Sequence, residues 1–426
     1  MSAAALRRPA PPFPQPRRPL RAVGLALLSA LLLTIPSGAV AADGDRPSIS
    51  SPTAIAVELA TGDIVYERRA NVLRGIASTT KLMTALLAFE EDELDRRHRI
   101  TAYPGAAVES VAGLHPGDRM TMRDLLAGLM LPSGNDAAVA IARAVSGSTS
   151  KFVTAMNERA RELGLRTRYR NPIGLDAEGH RGTATDLVKL TLLLREYPEF
   201  RRIVDAPSMR LESASPPITV QNRNTLVRDV PWVDGVKTGH TRKAGYALVG
   251  SGRRRGISVV TVVLGASSEA ARNADTLALL RFATGRYTRK VGLRRRDVVA
   301  ELPLRFRDET VAIEATRTVR RTIRRGEKLR TRVVGLPGDV EGPLPRGARL
   351  GTIEVIQRGR VVARVPAVTA AAVAQATVWQ RVDDRLSERG VQIMLVLALV
   401  ALAALVVLVR RGRRPLPTAA PARSRG

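Results

Sequence analysis

A run of apolar residues near the end of the chain limits what the rest of it can fold into. Residues 391–409, VQIMLVLALVALAALVVLV, have Gln392 as their only strongly polar side chain. A helix of this length spans the hydrocarbon core of a bilayer, and a helix satisfies its own backbone hydrogen bonds there. Because RRGRR follows at once, the positive-inside rule predicts a transmembrane helix at 391–409 and a basic cytoplasmic tail at 410–426.

The other end of the chain has the organisation of a secretory signal peptide. Five arginines precede the apolar stretch AVGLALLSALLLTI, and small residues follow it, among them Ala39 and Ala41. We therefore expect residues 1–42 to be a signal peptide that is removed after Ala41 or Ala42. The two ends together predict a single-pass protein of the cell membrane, with the chain between them outside the cytoplasm.

The charge of the chain is strongly positive, at a formal net value of +29. Such a charge would ordinarily indicate a nucleic-acid partner. Aromatic residues make up only 3% of the chain, the basic residues are spread along it, and no nucleic-acid-binding signature is present. An anionic membrane surface or cell wall is compatible with the same charge, so we expect no nucleic-acid partner.

Between the apolar ends, the hydrophobic pattern changes once. From 48 to 287, β-like runs such as GISVVTVVLGA alternate with helical patterns such as TTKLMTALLAFEED. From 289 to 377, the runs are short, β-rich and separated by Gly, Pro and charged turns. The sequence therefore predicts a mixed α/β domain at 48–287 and a small β-rich domain at 289–377, followed by the membrane helix.

A serine and a lysine three residues apart give the first indication of chemistry. Only seven of the 68 basic residues are lysine, and one of them is Lys81, which follows Ser78 in a helical pattern. This spacing places both side chains on one helical face. A serine hydroxyl needs a neighbouring base, and a lysine with a lowered pKa can serve where an arginine cannot. Alone, the pair also fits a solvated helical face.

Two further motifs follow in a fixed order. LPSGND contains Ser133 and Asn135, and VDGVKTGHT contains Lys237, again one of the few lysines. The ordered trio S-x-x-K, S-G-N and K-T-G is similar to the signature of penicillin-binding proteins and class A β-lactamases, whose middle motif is S-D-N. With the flanking words ASTTKLMTAL, LPSGNDAAVAIA, NPIGLDAEGH and VDGVKTGHTRKAGY, the chain resembles the D-alanyl-D-alanine carboxypeptidases among the low-molecular-mass penicillin-binding proteins.

This resemblance implies both a fold and an activity. The fold is an α/β (α+β) serine transpeptidase domain of the penicillin-binding and β-lactamase type, with a central antiparallel sheet and a helical subdomain. A small all-β domain and a C-terminal transmembrane helix would follow it. The activity is that of a serine-type carboxypeptidase, without a cofactor, that removes the terminal D-alanine from peptidoglycan stem peptides and is acylated by β-lactam antibiotics.

The resemblance also implies a catalytic role for several motif residues. Ser78 would be the nucleophile that is acylated, and Lys81 would take its proton. Ser133 would relay a proton to the departing D-alanine. Asn135 would hydrogen-bond the substrate backbone, and Lys237 would keep the field of the site positive.

The K-T-G strand would supply the remaining contacts. By the same resemblance, Thr238 would contact the terminal carboxylate, and Gly239 would let the substrate lie along the strand. The backbone N–H groups of Ser78 and His240 would form the oxyanion hole, where charge develops during attack. The four histidines lack ligand spacing, so no metal site is expected.

One position departs from the family pattern. An arginine that helps to bind the substrate carboxylate commonly follows the strand after K-T-G, and here Ser267 stands near that place. Arg272 and Arg242 are candidates to replace it.

Three alternative functions use the same sequence features. A D,D-endopeptidase acting on cross-linked peptidoglycan would use the same residues. A class A β-lactamase would need a glutamate that activates the deacylating water, and no acidic residue between Ser133 and Lys237 has the expected sequence context. A non-enzymatic scaffold for cell-wall partners would not need Ser78.

Overall fold

A computed structural model describes residues 46–412 of the chain. The predicted signal peptide, 1–42, and residues 413–426 of the predicted basic tail lie outside the described residues. The described chain divides into two compact units, one ending at Thr288 and the other beginning at Arg289.

The first unit contains both strands and helices. Its strands are β1 (Thr53–Glu58), β2 (Ile64–Arg68), β3 (Arg97–Arg99), β4 (Arg119–Thr121), β5 (Ser208–Leu211), β6 (Ile218–Gln221), β7 (Val233–Thr241), β8 (Gly245–Arg254) and β9 (Ile257–Ala266). Its α-helices are α1 (Lys81–Glu91), α2 (Met122–Met130), α3 (Asn135–Ser146), α4 (Thr149–Glu162), α5 (Ala184–Leu194), α6 (Pro198–Asp205), α7 (Thr225–Asp229) and α8 (Glu269–Gly285).

Five strands form an antiparallel sheet in the order β2-β1-β9-β8-β7. The valine-rich β9 shows why a continuous apolar run forms a strand here. Val260 and Val262 pack into the core with the helices α1 to α6, whereas Val259 and Val263 pack into the core with α8. Both faces of the strand are therefore buried, which removes the usual alternation of polar and apolar residues. The predicted mixed α/β architecture with an antiparallel sheet is confirmed.

The start of β1 is attached to α8 by one buried carboxylate. Asp275 accepts hydrogen bonds from the Ser51 backbone N–H at 2.8 Å, the Ser51 hydroxyl at 2.5 Å and the Ser50 N–H at 3.1 Å. Because Ser51 is buried, the carboxylate replaces the water that its two donors lose on folding.

The second unit contributes seven strands, of which the first begins just before it. They are β10 (Tyr287–Leu293), β11 (Val298–Pro303), β12 (Thr310–Ala315), β13 (Val319–Arg324), β14 (Arg330–Val334), β15 (Arg349–Gln357) and β16 (Arg360–Thr369). Five of them form a sheet in the order β11-β12-β16-β15-β14, and β10 pairs with β13. Its core includes Ile313, Ile353, Val355 and Val365, which are fully buried.

A long helix, α9 (Val378–Gly412), follows the last strand. Within it, Gln392–Arg410 is long and apolar enough to cross a membrane, and its side chains are exposed. The structure therefore has an apolar C-terminal helix where the sequence predicts one.

Replacing Asp275 by alanine should lower the free energy of unfolding by about 2–4 kcal/mol, because the buried donors of Ser51 lose their acceptor. Urea denaturation of residues 46–377 measures this change. The control Asp229→Ala removes an exposed carboxylate paired with the adjacent Arg228 and should change stability by less than about 0.5 kcal/mol. Equal losses in the two variants would contradict the assignment.

Candidate active site

The serine and lysine of the first motif lie side by side where α1 begins. A 3-10 helix, Ala77–Thr80, carries Ser78 and leads directly into α1, whose first residue is Lys81. The Lys81 Nζ lies 3.1 Å from the Ser78 Oγ. The lysine side chain is completely buried, with an exposed fraction of 0%. The predicted pairing of hydroxyl and amine on one helical face is therefore present.

Two acceptors besides Ser78 hold the Lys81 amine. Its Nζ donates to Asn135 Oδ1 at 2.7 Å and to the backbone carbonyl of Ile173 at 2.7 Å. An uncharged amine has two protons and one lone pair. If the two acceptors take the two protons, the lone pair faces the Ser78 Oγ, which is the arrangement that a general base needs.

The environment of Lys81 favours this uncharged form. Burial lowers the pKa of Lys81 to about 7, because the ammonium ion loses its hydration. The carboxylates of Asp136 and Glu109 oppose the shift, and the guanidinium of Arg223 adds to it. A large fraction of the amine is therefore uncharged near neutral pH.

The second motif lies in the turn between α2 and α3. Ser133 has a φ of 66°, a left-handed conformation that costs a non-glycine residue about 1–2 kcal/mol. Its Oγ is buried and has no hydrogen-bond partner among the described residues. Asn135 is the first residue of α3 and points its amide at Lys81. A strained serine with a free hydroxyl is suited to transfer protons to a bound molecule.

The third motif lies on β7, the edge strand of the sheet. Lys237 and Thr238 are buried, with exposed fractions of 1% and 6%. Gly239 packs against the nucleophile, since a Cβ there would lie 3.0 Å from the Ser78 backbone N and 3.1 Å from the Ala77 Cβ. The structure thus brings all three motifs together around Ser78.

Lys237 is a second buried amine, and no carboxylate in the described part of the chain forms an ion pair with it. Its Nζ has no hydrogen-bond partner among residues 46–412. The pKa of Lys237 lies well below its usual range because the side chain is buried and because Lys81, Arg223 and Arg272 lie nearby. An anion bound beside it would restore the favourable charge balance that the free site lacks.

The end of β7 carries the remaining predicted contacts. The His240 ring is exposed and stacks on Tyr246, with 4.0 Å between ring centroids. Arg242 is exposed on the turn that follows. Arg272 is buried instead, and its guanidinium pairs with the Glu269 carboxylate at 2.6 Å. Of the two candidate arginines, Arg242 is therefore exposed at the surface, whereas Arg272 already pairs with a carboxylate.

The loop at residues 171–174 completes the site through a backbone carbonyl. The Ile173 carbonyl accepts from Lys81, and the Ser78 Oγ lies 3.4 Å from the same oxygen. Asn171 Oδ1 accepts the Gly174 N–H at 2.7 Å and so fixes the turn. Gly174 has a φ of +90°, and a Cβ there would lie 2.1 Å from the Ala77 carbonyl oxygen. Sequence reasoning missed this carbonyl, although the word NPIGLD marks a tight turn at this place.

His180 supports the start of α1. Its Nε2 pairs with the Thr80 hydroxyl at 2.8 Å, and its Nδ1 accepts the Arg170 backbone N–H at 3.2 Å. The ring proton therefore lies on Nε2. Burial lowers the pKa of His180 to about 4, so the ring is neutral at physiological pH. Within residues 46–412, no group of three His, Asp or Glu residues could hold a metal ion.

Comparisons with known proteins agree with this geometry. The family described as D-alanyl-D-alanine carboxypeptidase matches residues 40–268. The D-alanyl-D-alanine carboxypeptidase DacF of Bacillus subtilis is 31% identical over 360 residues, which cover 81% of this chain and 92% of that protein. A D-alanyl-D-alanine endopeptidase of Pseudomonas aeruginosa is 32% identical over 250 residues, 57% of this chain and 80% of its own. The structure of penicillin binding protein 5 from Haemophilus influenzae covers 78% of this chain and 99% of its own, with a TM-score of 0.55 and 25% identity.

Replacing Gly174 by alanine should destabilise the first unit more than a positive φ alone explains, because the added methyl overlaps the Ala77 carbonyl. Gly164→Ala is the matched control, since Gly164 has a φ of +63° and open space around its Cβ position. We expect the control to lose about 1–2 kcal/mol of unfolding free energy and Gly174→Ala to lose at least twice as much. Urea denaturation distinguishes them, and equal losses would show that the loop is not held against Ser78.

Proposed function

The chain belongs to the D-alanyl-D-alanine carboxypeptidase family of serine peptidases, and from this membership we propose that it removes the terminal D-alanine of peptidoglycan stem peptides through an acyl-enzyme on Ser78. The observation that carries the proposal is the 3.1 Å contact between the Ser78 hydroxyl and the buried Lys81 amine, whose pKa burial lowers to about 7. The same nucleophile would be acylated by β-lactam antibiotics.

The first step transfers a proton and forms a bond. Lys81 Nζ takes the Ser78 hydroxyl proton while the Oγ attacks the carbonyl carbon between the last two D-alanines. The backbone N–H groups of Ser78 and His240 stabilise the charge that develops on the carbonyl oxygen. The close packing of Gly239 against the Ser78 backbone supports this assignment, because it brings the end of β7 next to the backbone of the nucleophile.

The second step releases D-alanine. The C–N bond breaks, and the leaving nitrogen receives a proton through the Ser133 hydroxyl, whose oxygen has no other partner in the described chain. Asn135 binds the substrate backbone. Thr238 contacts the terminal carboxylate, and the anion supplies Lys237 with the counter-charge that it lacks. Water then hydrolyses the Ser78 ester by the reverse proton path.

An endopeptidase is the second candidate function. It is favoured by the relative of Pseudomonas aeruginosa that is named D-alanyl-D-alanine endopeptidase. Both reactions use the same acyl-enzyme, so they differ in the group that leaves. A D-Ala-D-Ala-terminated pentapeptide and a cross-linked muropeptide dimer, offered at equal concentration, distinguish them by the product released.

We propose the following arrangement in the cell. Residues 1–42 direct export and are removed, the domain at 48–287 carries the site outside the cytoplasm, and Gln392–Arg410 spans the membrane with its C-terminus inside. The exposed apolar side chains of this helix support the span, and the arginines that follow it support the orientation. The β-rich domain at 289–377 connects the catalytic domain to this helix along the chain.

Benzylpenicillin should add covalently to Ser78. Intact-mass spectrometry is expected to show one adduct on the wild-type chain and none on Ser78→Ala, because the variant lacks the attacking oxygen. Thr79→Ser is a suitable control, since it leaves a hydroxyl next to the site and should retain the adduct. An adduct of equal yield on Ser78→Ala would contradict the assignment of the nucleophile.

The rate of this acylation should rise with pH through about 7 and then level off. Below the pKa of Lys81 the amine is protonated and has no lone pair, and above it the amine can accept the Ser78 proton. Lys81→Arg stays charged at every pH and should lose more than about 100-fold at each of them. Quenched-flow rates from about pH 5 to about pH 9 give the profile. A flat profile in the wild type would contradict the role of Lys81 as the base.

A further inference from the structure

The connection between β3 and β4, residues 100–118, brings a carboxylate to the active site that no motif marks. It has no helix or strand of its own, and long irregular connections of this kind are commonly functional. Its middle is attached to the start of α3. The Asp136 carboxylate accepts the backbone N–H groups of Ala112 at 2.8 Å, Gly113 at 3.0 Å and Leu114 at 3.0 Å.

This attachment places Glu109 beside Asn135. The Asn135 Nδ2 donates to Glu109 Oε2 at 2.7 Å. The Tyr103 hydroxyl donates a short hydrogen bond to the same oxygen, and the Ala106 backbone N–H donates to Glu109 Oε1 at 3.2 Å. The carboxylate is therefore held by three donors. The Asn135 side chain, which contacts both groups, links it to the Lys81 amine.

The contact selects one orientation of the Asn135 amide. An amide has a donor end and an acceptor end, whereas an ionised carboxylate only accepts. With Nδ2 on Glu109, the acceptor Oδ1 faces the Lys81 Nζ at 2.7 Å. Turning the amide over would set Oδ1 against the carboxylate and Nδ2 against the amine protons, and both contacts would be repulsive.

We propose that Glu109 is a positioning residue for acyl transfer. It holds the Asn135 amide so that Oδ1 binds one Lys81 proton and the Nζ lone pair is left for the Ser78 hydroxyl. Tyr103 supports Glu109 through its hydroxyl. This inference rests on the proposed function, because it takes Ser78 as the nucleophile and Lys81 as the base.

Glu109 has a second, electrostatic effect on the same amine. Two carboxylates, Glu109 and Asp136, favour the protonated form of Lys81, while the positive charges of Arg223 and Lys237 disfavour it. Burial opposes ionisation of Glu109, but the hydrogen bonds from Tyr103 and Asn135 outweigh it, and the net effect lowers the pKa of the carboxyl. Burial and Glu109 raise the pKa of Tyr103 to about 12, so the phenol keeps the proton that it donates. Removing the charge of Glu109 should therefore make Lys81 easier to deprotonate.

Two substitutions separate the positioning effect from the charge effect. Glu109→Gln keeps an oxygen that can accept from Asn135 and Tyr103 but has no charge. Glu109→Ala removes both the accepting oxygen and the charge. The experiment measures the second-order rate of benzylpenicillin acylation against pH, with the full chain in detergent micelles. Glu91→Gln, an exposed position at the end of α1, is the matched control for the loss of one carboxylate.

We expect the midpoint of the pH profile to move to lower pH in Glu109→Gln, with a high-pH rate within about threefold of the wild type. In Glu109→Ala we expect the same direction of shift and a high-pH rate lower by about tenfold or more, because the Asn135 amide is no longer held. Glu91→Gln should match the wild type.

The outcomes distinguish this inference from the proposed function. No acylation of the wild type at any pH would remove the proposed function itself. A wild type that is acylated, together with an unchanged midpoint in Glu109→Gln, would overturn the electrostatic effect of Glu109 on Lys81 and leave the proposed function standing. Equal high-pH rates in Glu109→Gln and Glu109→Ala would overturn the positioning role of Glu109, since the amide would then not need a held orientation.

Discussion

The site depends on the burial of one lysine amine at the start of α1. In water an amine beside a serine would be protonated and could not take the hydroxyl proton. Here the side chain of Lys81 is fully buried, and the loss of hydration lowers its pKa to about 7. Its remaining neighbours then decide where the lone pair points. Asn135 and Ile173 supply acceptors from two separate segments, so the free direction is the one that faces Ser78.

The fold provides these neighbours at some cost in stability. Ser133 has a strained backbone, and the buried atoms Ser133 Oγ and Lys237 Nζ have no hydrogen-bond partner among residues 46–412. Groups of this kind normally destabilise a folded chain, and they are found where a ligand completes the hydrogen bonds. The edge position of β7 fits the same reading, because a strand without a neighbour on one side can bind an extended peptide.

Much of the fold and several residues of the site could be predicted from the sequence. The helical start of α1 and the fully apolar β9 follow from periodicity, and two of the three motifs stand out because each contains one of the chain's few lysines. The Ile173 carbonyl could not be predicted, since a backbone acceptor has no side-chain signature and lies far along the chain from Lys81. Glu109 lies in an irregular connection whose path is set by the contact of Asp136 with three backbone N–H groups. Only the folded structure brings it to Asn135.

The most direct test of the account is the protonation of Lys81 in the free protein. With only seven lysines in the chain, isotope-labelled lysine gives a side-chain NMR spectrum simple enough to titrate residue by residue, with Lys81→Arg identifying its signal. The account predicts that this signal titrates near pH 7. A Lys81 signal that titrates near the ordinary value of 10.5 would contradict it, because the amine would then be charged whenever the serine reacts.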